Sequence, residues 1–99
     1  MEFSNLVDKA NTAYQNNKIY ESIELFDQAL KLNPTSFDVC NKLGLLTLQV
    51  GNLESSINFF KKTLLLNPKS SLAYSNLGLI YSKLNNKKLA LYNYLKSYE

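Results

Sequence analysis

Histidine, arginine and tryptophan are absent from this 99-residue chain, and cysteine occurs once, at Cys40. Each gap removes a class of chemistry. Without His, the side chain most used as general base and as metal ligand is missing. Without Arg, no planar bidentate clamp for phosphate or carboxylate can be built, and every cation is one of eleven Lys. A lone thiol excludes an internal disulfide and any multi-thiolate zinc site. No apolar run approaches the ~20 residues that span a bilayer. The acidic start, Glu2-Phe3-Ser4-Asn5-Leu6-Val7-Asp8, lacks the apolar core of a signal peptide, and no Asn-x-Ser/Thr glycosylation acceptor occurs. These absences predict a non-enzymatic protein with no metal and no cofactor, in a reducing, cytoplasmic compartment.

What is present is globular. Hydrophobic residues make up 45% of the chain and charged residues 19%, and a chain of this size buries roughly 60–70% of its unfolded surface. One domain over residues 1–99 is expected. The net charge of +3 is graded along the chain. Residues 1–36 carry three Lys against five acids, residues 37–70 are net +2, and residues 71–99 are net +3. The gradient suits steering of an acidic partner better than nucleic-acid binding.

A period of 34 residues organises everything else. Asn33-Pro34 returns as Asn67-Pro68, and the same shift superposes Phe3 on Phe37, Ser22 on Ser56, Phe26 on Phe60 and Leu30 on Leu64. Ten of 34 aligned positions are identical between the first two units. Leu43-Gly44-Leu45 returns as Leu77-Gly78-Leu79. Within each unit the apolar residues are spaced for helices, as in Ile19, Ile23, Phe26 and Leu30, and Pro34 ends the run because it cannot continue one. Asn17, Gly51 and Asn85 fall 34 apart at the breaks between helices. Asn and Gly accept the left-handed backbone that closes a helix, so one requirement accounts for all three. The predicted helices are 3–16, 19–32, 37–50, 53–66, 71–84 and 87–98.

The pattern resembles three tetratricopeptide repeats, about 3–36, 37–70 and 71–99, the last incomplete. The third unit carries Tyr74, Leu77-Gly78, Tyr81, Ala90 and Tyr94; the second has Cys40, Leu43-Gly44, Thr47, Ser56, Phe60, Thr63 and Pro68. The first has Leu6, Ala10, Ala13, Ser22, Phe26, Ala29 and Pro34, with Lys9 where the others have Leu43 and Leu77. The resemblance implies an all-α fold, a right-handed superhelical solenoid of three helix-turn-helix hairpins. Small Ala10, Gly44 and Gly78 would admit Phe26, Phe60 and Tyr94 at close helix crossings. The helix from Phe37 to Val50 is apolar around most of its circumference, as one sandwiched between neighbours should be.

In this family first helices line a concave face. Projected here, the inward rows are Ser4, Val7, Asn11 and Tyr14; Asp38, Asn41, Leu45 and Leu48; and Leu72, Ser75, Leu79 and Ser82, with Asn76 beside the last. This groove is expected to hold a peptide segment by apolar contact plus Asn hydrogen bonds to its backbone. A second reading makes Leu45 and Leu48 core residues packed on adjacent helices. The carboxylate clamp by which some relatives grip chaperone tails is not expected. Only Asn11 matches it, while Val7, Lys42, Leu72 and Asn76 replace its other members. Nor is the Asn ladder of the sugar-transferring relatives intact, because Asp8 and Lys42 stand where it needs Asn76's equivalents.

Other chemistry-bearing residues have plainer readings. Lys61-Lys62 and Lys87-Lys88 are expected on solvated convex faces, Cys40 as an inert buried thiol, and Glu21, Glu24 and Asp27 on a solvated helix face. The third unit stops at Glu99 with no polar capping helix. Leu91, Tyr94, Leu95 and Tyr98 are therefore candidates for self-association, or for the face on which a longer array continues. The function expected is a protein-interaction scaffold with a protein or peptide partner. The alternative is a self-assembling homo-oligomer or the interaction array of a larger protein.

Overall fold

A computed structural model describes residues 2–99, which form six helices: α1 (Phe3–Gln15), α2 (Ile19–Leu32), α3 (Phe37–Gln49), α4 (Leu53–Leu66), α5 (Ser71–Lys83) and α6 (Lys87–Ser97). They pack as the hairpins α1–α2, α3–α4 and α5–α6, with α2 against α3 and α4 against α5 joining one hairpin to the next. The array is elongated, 42 × 24 × 18 Å.

The hairpin turns are one device used three times. Asn17 (φ 61°), Gly51 (φ 85°) and Asn85 (φ 60°) adopt the left-handed conformation. The amide after each reaches back across the turn, Lys18 to Ala13 O, Asn52 to Thr47 O and Asn86 to Tyr81 O, all at 2.8 Å. That six-residue closure satisfies carbonyls the helix leaves unpaired. It also explains why α1, α3 and α5 end one residue before the sequence-based boundary; α6, which no such turn follows, ends at Ser97, likewise one residue short.

Helix starts differ between repeats. Ser36 and Ser70 accept from Val39 N (3.3 Å) and Ala73 N (3.2 Å), and Asn52 and Asn86 accept from Ser55 N (3.2 Å) and Leu89 N (3.1 Å). The first repeat has no side-chain cap at either Glu2 or Lys18. Yet Lys18 (φ −96°, ψ 70°) has nearly the backbone of Asn86 (φ −95°, ψ 81°). Lys18→Asn therefore adds a missing cap and should stabilise the protein by about 1 kcal/mol, a rise of roughly 4–8 °C in melting temperature. An unchanged thermal melt would show that the cap geometry is not shared.

Two buried clusters hold the hairpins together. Ala10, Phe26, Leu30, Val39, Cys40, Leu43 and Leu46 fill the space between the first and second repeats, and Phe60, Ala73, Leu77 and Ile80 that between the second and third. The close crossings are real. A Cβ on Gly44 would lie 2.7–2.9 Å from three ring atoms of Phe60, and one on Gly78 equally near Tyr94. Ser22 and Ser56 occupy a crossing position held by Ala90 in the third repeat. Their hydroxyls donate across the hairpin to Ala10 O (2.8 Å) and Gly44 O (2.7 Å), so neither buried hydroxyl is left unpaired. Among the described residues the ion pairs are Asp27–Lys31 (3.4 Å) and Lys96–Glu99 (3.3 Å), both surface pairs worth little. Apolar packing carries the stability.

Cys40 is fully buried in the first cluster. Burial pushes its thiol above the ordinary value of 9.0, against the opposing pull of Lys62. The folded thiol thus ionises later than the unfolded one. Its contribution to stability is constant below about pH 9 and is lost as pH rises further. At pH 8 the native protein should react with a thiol reagent far more slowly than the urea-unfolded chain. Equal rates would mean that Cys40 is accessible.

Candidate functional site

The three first helices present a mixed row. Tyr14, Leu45, Leu72 and Leu79 are between 38% and 47% exposed; Leu45 and Leu79 hold the same place in successive repeats, whereas Tyr14 corresponds to the half-buried Leu48 and Leu72 to Asp38. Ser4, Asp38 and Ser82 are exposed, and Asn11, Asn41 and Ser75 are half-buried. The competing readings of Leu45 and Leu48 divide between the two residues. Leu45 remains open, whereas Leu48 is half-buried against the Phe60 cluster and Val7 against the Phe26 cluster. With 3.6 residues per turn, positions three apart lie about 60° from each other, so one row can straddle groove and core.

Between α1 and α3 the row deepens into a pocket of about 120 Å³ lined by Asn11, Tyr14, Phe26, Lys42, Leu45, Leu46 and Gln49. A cavity of ~150 Å³ holds benzene, so this one suits a small branched aliphatic group. Lys42 and Gln49 are exposed members of the wall outside the projected rows. They were findable, since Lys42, Leu45 and Gln49 lie three and four residues apart on one helix edge. The α3 edge seen by α1 is rotated by one position from the row projected for it.

Some projected donors are engaged locally. Ser75 Oγ (3.1 Å) and Asn76 Nδ2 (2.9 Å) both donate to Leu72 O on their own helix, which uses one of the two amide hydrogens of Asn76. Asn41 Oδ1 is the reverse case, a buried oxygen without a hydrogen-bond partner among the described residues.

The basic and acidic side chains sort similarly. Lys61, Lys87 and Lys88 are exposed, but Lys62 is half-buried beside a shallow depression with Asp27, Leu30 and Phe59. Glu21 and Glu24 are exposed and Asp27 is half-buried in its pair with Lys31. Among the described residues no three His, Cys, Asp or Glu side chains gather where they could hold a metal ion. No helix among them is long and apolar enough to cross a membrane.

At the far end, Leu91, Leu95 and Tyr98 are between 58% and 87% exposed on the outer side of α6. Tyr94 differs. It is half-buried against Gly78, in the role Phe60 has against Gly44, so packing already occupies much of its ring.

Helical hairpins in a fixed register, each sharing its core with the next, define an all-α repeat array. Tetratricopeptide repeat profiles match residues 4–36, 37–70 and 59–92. The chain belongs to the tetratricopeptide repeat family. The third match begins on α4 and ends on α6, out of phase with the hairpins because the sequence period has no intrinsic starting point. No curated protein matches the chain. Among solved structures it is similar to a crystal structure of MamA, with a TM-score of 0.93 and 22% identity over 97% of this chain and 56% of that one. It also resembles the second TPR of Spaghetti (RPAP3) bound to the HSP90 peptide SRMEEVD, with a TM-score of 0.89 and 14% identity over 98% of this chain and 90% of the other. At such identities the likeness establishes the fold. The chain spans little more than half the length of the MamA structures it matches.

Proposed function

We propose that this protein is a non-catalytic interaction module, a single three-repeat domain that holds a peptide segment against its first helices in a reducing, cytoplasmic setting. The observation that carries the reading is the open apolar row Tyr14, Leu45, Leu72 and Leu79. Four large apolar side chains, at least one on each first helix, line an extended track rather than one isolated patch. Asn11 and Gln49 supply amides along the track. A peptide in an extended conformation offers both side chains for the apolar floor and backbone groups for the amides.

The Spaghetti structure shows a repeat domain of this fold with a peptide bound. The ligand here is of another kind. Val7, half-buried in apolar contacts, and Leu72 stand where a tail-gripping clamp needs cations, and Lys42 stands where it needs an amide. An acidic tail would bury charge without its partners. The test is affinity capture with immobilised protein: a ligand retained by the wild type should be lost by Leu45→Lys/Leu79→Lys. Unchanged capture by that folded variant would refute the groove.

A second reading, self-assembly through α6, is favoured by the exposure of Leu91, Leu95 and Tyr98.

A further inference from the structure

The pocket between α1 and α3 combines features that the next junction does not repeat. Its floor is the ring of Phe26 and the side chain of Leu46, both buried, and its walls are the open Tyr14 and Leu45. At the next junction Leu48, the equivalent of Tyr14, packs against the Phe60 cluster instead. The rim differs as well. Lys42 and Gln49 stand on it, where the third repeat has Asn76 and Lys83. Lys42 is exposed and makes no ion pair among the described residues, although Asp38 lies one turn before it on α3.

Each part of this pocket selects against something. Its volume of about 120 Å³ is less than the ~150 Å³ that holds benzene, so an isobutyl or isopropyl group fits and an aromatic ring exceeds it. The floor of Phe26 and Leu46 offers no side-chain hydrogen bond, so a polar group there would give up its hydration uncompensated. The ammonium of Lys42 at the open rim favours a carboxylate and repels a second cation. Leu45 and Lys42 are three residues apart, about 4.5 Å along the helix, and an extended peptide advances about 3.3 Å per residue. A carboxylate within two positions of the anchored side chain is therefore in reach of Lys42. Resting on the groove reading, we infer that the partner is a peptide segment with one branched aliphatic residue seated between α1 and α3 and an acidic residue within two positions of it. One carboxylate at an exposed rim keeps much of its water, which the several of an acidic tail against Val7 and Leu72 would not. Asn11 and Gln49, on the same lining, can donate to and accept from the peptide backbone beside the anchor.

A random peptide library displayed on phage, selected on the immobilised protein and counter-selected on Leu45→Lys/Leu79→Lys, tests this. The recovered peptides should share a Leu, Ile or Val with Asp or Glu within two positions. In fluorescence-anisotropy titrations of such a peptide, replacing its aliphatic residue by Ala should weaken binding about ten- to a hundredfold, and Trp should not substitute for it. Lys42→Glu, changed at an exposed position, should keep the wild-type thermal melt. It should weaken binding about three- to tenfold, because an attraction becomes a repulsion. The same variant should prefer the peptide whose acidic residue is exchanged for Lys. No enrichment, or recovered peptides that all bind Leu45→Lys/Leu79→Lys equally well, would overturn the groove reading and this inference together. Groove-dependent peptides without the aliphatic and acidic pair, full binding with Trp as the anchor, or indifference to Lys42→Glu would overturn the inference and leave the groove standing.

Discussion

Phe60→Ala should lose about 3–5 kcal/mol of stability, lowering the melting temperature by at least ~15 °C for a domain of this size. Phe60 is fully buried, its ring lies against the missing Cβ of Gly44, and it belongs to the cluster that fastens the third repeat to the second. Truncation removes the ring from an α3–α4 crossing and an α4–α5 contact together. No small neighbour can fill the gap, because Gly44 has no side chain and Ser56 is committed to Gly44 O. Domains are commonly stable by 5–15 kcal/mol, so much of the total is at stake. Tyr94→Ala, at the equivalent position of the end repeat, should cost clearly less, since that ring is half-buried and no further hairpin rests on it among the described residues. Chemical denaturation of the two variants ranks them. Equal losses would mean that the repeats do not share cores as described.

Leu45→Lys/Leu79→Lys should abolish peptide capture, a loss of at least ~100-fold in affinity if each side chain contributes 1.5 kcal/mol or more. Both leucines keep roughly two-fifths of their surface open, so a lysine can extend its ammonium into water and the fold survives. In the complex those same ammonium groups must be desolvated against an apolar ligand, or must exclude it. Circular dichroism and the thermal melt should match the wild type to within a few degrees. Capture should vanish while self-association through α6 persists, which separates the two kinds of contact.

Much of the architecture is legible in the sequence because it is imposed by local rules repeated at one period. Asn17, Gly51 and Asn85 mark the left-handed turns, Pro34 and Pro68 the ends of second helices, and Ala10, Gly44 and Gly78 the close crossings. The turns and helix ends depend on backbone sterics alone, and the small residues at the crossings mark where a ring of the partner helix approaches. The groove was legible as a set of faces but not residue by residue. Leu45 and Leu48 have the same chemistry three residues apart, and only the angle between hairpins sends one to the groove and the other to the Phe60 cluster. Asn76 spends one amide hydrogen on Leu72 O, a local bond that no spacing reveals. Lys42 and Gln49 escaped projection because the curvature of the array turns a different edge of α3 toward α1. Ser22 and Ser56 read as small residues, while their cross-hairpin hydrogen bonds appear only when Ala10 and Gly44 come opposite. Periodicity specifies which side of a helix is apolar; the packing of the next hairpin determines what that side touches.

The most direct measurement of the central claim is a backbone amide NMR titration of the protein with a peptide recovered by capture. The proposed function predicts chemical-shift changes at Asn11, Tyr14, Lys42, Leu45, Gln49 and Leu79, with α2 and the outer side of α4 unmoved. Shifts concentrated instead around Lys61, Lys62 and Asp27, on the second helices, would contradict it.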